Sequence, residues 1–116
     1  MSDDQNSSNN SSPESQEQMS KTAIIDKLSG ECMEADWNML KQHYQRGAVV
    51  VVSKELNLFE VGATIAKDEV DQLKAWMKDG HVHQASPQEA KKWEEDLYKK
   101  NFQFIIVQPY VLIQRI

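Results

Sequence analysis

Apolar residues fall in two rhythms along this chain. The first is helical. TAIIDKL (22–28) predicts a short opening helix. A second is predicted from a Ser29 cap to about Arg46, because Met33, Trp37, Leu40 and Tyr44, spaced by four, three and four, share one helical face. Gly47 follows it as the residue that ends a helix in the left-handed conformation. Leu58, Val61 and Ile65 predict a third helix, opened by Asn57 and Glu60 in capping-box spacing and running to about Ala66. Val70, Leu73 and Met77, with Trp76 beside them, predict a fourth between an Asp68 cap and Gly80. SPQE (86–89) starts a fifth, burying Ala90, Trp93 and Leu97 and ending near Lys100: Ser86 caps, Pro87 takes the first turn and Glu89 closes the box.

The second rhythm is that of strands. AVVVVS (48–53) is β-branched without polar alternation, which predicts a strand buried on both faces and therefore inside a sheet. HVHQA (81–85) alternates and predicts a short strand. FIIVQPYVLIQRI (104–116) is apolar on both faces around a single proline, and predicts one bent strand or two short ones beside VVVV. The fold class is therefore α+β: a small mixed sheet of three to four strands, with about four to five helices packed on it. Strand order does not follow from the pattern.

Residues 1–20 lie outside both rhythms. They are Ser, Asn, Gln, Asp and Glu with isolated Met, too polar to offset the entropy of ordering, and predict a disordered tail before a single domain at 21–116. They hold four of the 18 acidic groups (Asp3, Asp4, Glu14, Glu17) and none of the 13 basic ones. The net charge of −5 is thus mostly the tail's, and the rest is close to neutral. The basic pairs Lys91/Lys92 and Lys99/Lys100 are interrupted by Glu94, Glu95 and Asp96, a mixed-sign helix face rather than a phosphate track, so nucleic acid is not an expected partner. Apolar runs are far shorter than the about 18 residues a membrane helix needs. With one cysteine and no secretory pattern, the expected setting is a reducing cytoplasm.

Few residues suggest chemistry. His81 and His83, two apart on a predicted strand, share a face and could begin a metal site, to which His43, Cys32 and Asp79 could add only if the fold brought them near. Cys32 falls in the first turn of the predicted second helix, where a thiol is activated, but Glu31, Glu34 and Asp36 act against that. Trp37, Trp76 and Trp93 lie at core spacing. No glycine-rich phosphate loop, GxSxG or paired-carboxylate signature is present, so no catalytic residue and no cofactor are expected.

Three stretches, WNMLKQHYQRGAVVVV, ELNLFEVGATIAKDEVDQLKAWMKDG and FIIVQPYVLIQ, resemble a family of short bacterial proteins known as domain of unknown function 2288. The likeness spans roughly residues 27 to 115 and rests on Trp37, Arg46, Gly47, Trp76, Gly80, Trp93, Gln108 and Pro109. It implies a bacterial, intracellular, single-domain protein and carries no activity, cofactor or catalytic residue. The expectation is a non-enzymatic protein acting on a protein partner or as a homodimer, through a C-terminal surface of Gln108, Pro109, Tyr110 and Leu112. The alternative is a ligand- or metal-binding protein, or a small enzyme, using His81 and His83 with Asp79 or Asp68 beside Trp76.

Overall fold

The computed structural model describes residues 19–116. A five-stranded mixed sheet, more than the three to four strands expected, lies between two layers of helices. Its elements are α1 (Lys21–Glu31), β1 (Met33–Ala35), α2 (Trp37–Gln45), β2 (Val49–Val52), α3 (Leu58–Ala66), α4 (Val70–Lys78), β3 (Val82–Gln84), α5 (Pro87–Trp93), β4 (Phe102–Val107) and β5 (Tyr110–Arg115). A 3-10 turn at Glu94–Asp96 ends α5 short of Lys100.

The strand order is β1-β4-β5-β2-β3. β2 and β5 are parallel, with Val50 opposite Leu112, and every other pair is antiparallel. The apolar C-terminus is core: β5 lies inside the sheet, and Gln108–Pro109 forms the turn joining it to β4 through a cis peptide bond. Pleat alternation then builds two cores. Val52, Leu112, Ile105, Val107 and Val82 pack against α1 and α3 on one face. Val49, Val51, Val111, Ile113 and Phe102 pack against α2 and α5 on the other. Trp37 and Trp93 meet there at 4.9 Å between ring centroids.

Gly62 marks the closest approach of α3 to its neighbours. A Cβ there would lie 2.8 Å from both Ile105 Cδ1 and Leu28 Cδ1, so the missing side chain lets α1, α3 and β4 come together.

Three local expectations fail. The helix proposed from Ser29 to Arg46 is two elements: α1 runs on to Glu31, and the Ser29 hydroxyl donates to the Asp26 carbonyl instead of capping. β1 follows, pairing Met33 with Phe104 and Ala35 with Phe102, and the cap of α2 is Asp36, which accepts from the Met39 N–H at 2.8 Å. Asp68 does not cap α4; it adopts φ 57°, and Glu69 precedes the helix with no side-chain capping bond. Met19 and Ser20, assigned to the tail, belong to the folded part. Met19 packs on the first core and Ser20 caps α1 by accepting from the Ala23 N–H. The disorder expected for residues 1–18 lies outside the described residues.

Candidate functional site

The two histidines do not form one ligand set. His83 is in β3 and gives its Nε2 to both carboxylate oxygens of Glu89 on α5, at 3.0 and 3.1 Å. His81 precedes the strand, 3.7 Å from Glu55 in the loop after β2. His43 sits at the end of α2, where its Nδ1 accepts from Arg46 at 2.6 Å. Among the described residues no group of three or more His, Cys, Asp or Glu side chains is placed to hold a metal ion.

Glu89 is held by its surroundings. Burial works to raise its carboxyl, but the Ser86 backbone N–H and the His83 imidazole donate to it and outweigh burial, leaving it below its ordinary value. The same carboxylate closes the capping box of α5, so the His83 contact ties that helix to the sheet edge.

Cys32 ends α1 rather than starting a helix, which removes the expected source of activation. Its thiol is raised above the ordinary value by burial, against a hydrogen bond from the Phe104 N–H and with further raising by Glu34. It donates to Gln103 Oε1 at 3.7 Å. Gln103 in turn donates to Gln114, and the Gln114 amide donates to the Ser53 and Leu56 carbonyls at 2.9 and 2.8 Å. This chain of amides pins the loop after β2 onto β5. It is a structural network.

The expected C-terminal surface separates into two parts. Leu112 is 0% exposed and belongs to the first core, so it cannot meet a partner, and β5 offers no free edge because β4 and β2 pair with both its sides. Gln108, Pro109 and Tyr110 are exposed at the turn. Of these, Tyr110 borders the feature that pattern reading missed.

That feature is a groove of about 280 Å³ between α4 and the sheet. Val50, Val82 and Tyr110 form its floor, Ile65 of α3 closes one side, and Leu73 and Met77 of α4 lie over it. Its polar neighbours are few. Gln84 is committed through Nε2 to the Gly47 carbonyl at 2.7 Å, and His83 turns its imidazole to Glu89. No charged carboxylate, lysine or arginine lines it. The apolar stripe of α4 was legible in the sequence, yet none of its residues is buried: Val70 is 44% and Met77 54% exposed. The sequence signals the stripe of Val70, Leu73 and Met77 but not that the space beneath it stays open.

No helix among the described residues is long and apolar enough to cross a membrane. No curated protein matches the chain significantly. Among solved structures, the NMR solution structure of PA1075 from Pseudomonas aeruginosa is similar at 29% identity, with a TM-score of 0.68, over 91% of this chain and 93% of that one. The model of the family described as protein of unknown function (DUF2288) matches residues 23–115, the span of both core layers and of the groove between α4 and the sheet, and the chain belongs to that family.

Proposed function

We propose that this protein acts by non-covalent binding rather than catalysis, and that the groove under α4 is where it binds. The observation that carries this reading is the half-open stripe of α4: Leu73 and Met77 stand over Val50, Val82 and Tyr110 without closing the space between them. An apolar hollow with few polar groups is what a binding site requires, and Met77 supplies a side chain that adapts to irregular shapes. A cytoplasmic setting is part of the same proposal, supported by a free cysteine half-buried without a disulfide partner. The test is methyl NMR with a set of apolar fragments. Shifts concentrated at Val50, Leu73 and Met77 are expected, and a set of fragments that leaves these methyls unmoved overturns the reading.

Self-association is a second reading, favoured by the exposure of Val70, Met77 and Tyr110 around the groove. Protruding apolar side chains beside a hollow suit a two-fold contact in which each copy fills the other. Sedimentation velocity over a wide concentration range decides it. A dimer that Met77→Glu dissociates supports this reading, and a monomer throughout removes it.

A further inference from the structure

We propose that α4 is a lid, and that the space beneath it takes a small, neutral, largely apolar molecule. The inference rests on the groove being the binding site and adds what enters it and how.

The neighbouring helix α3 buries Leu58, Val61, Gly62, Ala63 and Thr64, whereas α4, of the same length, buries none of its residues. Only Leu73 and Trp76 of α4 reach the first core, and both are partly buried. Both ends of α4 are joined to the body through residues in the left-handed region, Asp68 at φ 57° and Gly80 at φ 80°. The residue before α4 is held from outside by the Lys21–Glu69 ion pair at 2.9 Å, and the start of the helix has no side-chain cap. A helix with little buried surface, bounded by two such turns, is drawn from the low-stability end of a fold, where lids are found. Its one apolar face looks onto the groove.

The lining selects the ligand. A volume of about 280 Å³ lies just under the roughly 300–1,000 Å³ of common small-molecule pockets, which suits a bicyclic ring rather than a helix or strand of another protein. The side chains are aliphatic apart from Tyr110, the Gln84 amide and the strand at His83. The one lining group able to take a positive charge, His83, is turned to the Glu89 carboxylate at 3.0 Å, so an anion or cation entering meets no free counter-charge and would be desolvated without a partner. Tyr110 brings a hydroxyl to the lining, a group able to make one hydrogen bond with a hydroxyl or ring N–H on an otherwise apolar molecule.

The experiment uses 2-naphthol as the neutral probe and naphthalene-2-sulfonate as its charged counterpart, with methyl NMR and hydrogen exchange on the full chain. Binding of 2-naphthol at Val50 and Met77, at least tenfold tighter than the sulfonate, is expected, together with slower exchange of the amides over 70–78. Val50→Phe fills the floor and should abolish both effects; Leu73→Phe, which fills the space from the lid, is the second variant should the first fail to fold. Naphthol binding with unchanged exchange over 70–78 overturns the lid. Equal binding of the sulfonate overturns the ligand class. Absence of naphthol binding, while other groove-directed fragments or self-association still respond to Val50→Phe, overturns this inference and leaves the binding reading standing. Absence of every such response overturns both.

Discussion

At the scale of single residues, what decides each role is the partner the fold supplies. Gln114 is a polar residue in an apolar strand, 6% exposed, and its amide answers two loop carbonyls and Gln103. Gln114→Leu removes those donors while keeping the volume, and should lower stability by about 1–2 kcal/mol. Urea unfolding checks it, and a change below about 0.5 kcal/mol would mean the loop carbonyls find water instead. Cys32 carries a thiol that burial raises, so at pH 8 it should react with iodoacetamide more slowly than free cysteine. The role of Gln114 was not legible in the sequence, whereas an unactivated Cys32 was, from the carboxylates around it, Glu34 among them. The loop carbonyls that Gln114 meets lie 61 and 58 positions away, and Cys32 took its expected helix position from a cap that Asp36, not Ser29, provides.

At the scale of elements, local chemistry was read well wherever it is self-contained. SPQE forms the full reciprocal box, with Ser86 and Glu89 bonded in both directions, because every partner lies within four residues. This box carries a pH dependence. Glu89 sits below its ordinary value in the folded state, so its contribution to stability is fully present above the unfolded carboxyl value, about 4.3, and is lost as pH falls through the lower folded value. Thermal melts between about pH 6 and 3 should therefore steepen on the acid side. Glu89→Gln should flatten that slope, and an unaltered slope would remove Glu89 as a contributor. β1 shows the opposite case. Met33–Ala35 has no strand signal of its own, and Met33 happened to continue the spacing of Trp37, Leu40 and Tyr44; the pairing with β4 makes it a strand.

At the scale of the whole molecule, β5 connects everything. Leu112 serves the core under α1 and α3, Val111 and Ile113 serve the core over α2 and α5, and β5 bonds to β4 and β2 at once. Truncation after Gln108 should therefore leave a chain without cooperative unfolding, visible as lost near-ultraviolet circular dichroism and a flat melt. A truncated protein that stays folded would show that the two cores can stand apart. For the intact chain the two layers should unfold together, as one strand shared between them requires. Coincident curves from hydrogen exchange of α2 on one face and of α1 and α3 on the other would establish it.

The sequence by itself determined the class of fold, the burial of Val49, Val51 and Val52 and of the C-terminal strand, four of the helix positions, the left-handed turn at Gly47 and the helix end at Gly80. These are consequences of periodicity, β-branching and capping, all of which act over a few residues. Tertiary structure alone decided the rest. The order β1-β4-β5-β2-β3, the separation of His81 from His83 by their different carboxylates, and the groove under α4 all depend on which distant segments meet. Periodicity says that Val70, Leu73 and Met77 share a face. Whether that face is filled by the sheet or left open over it is settled by how closely α4 can approach Val50 and Val82, and that distance is written in no single stretch of the chain.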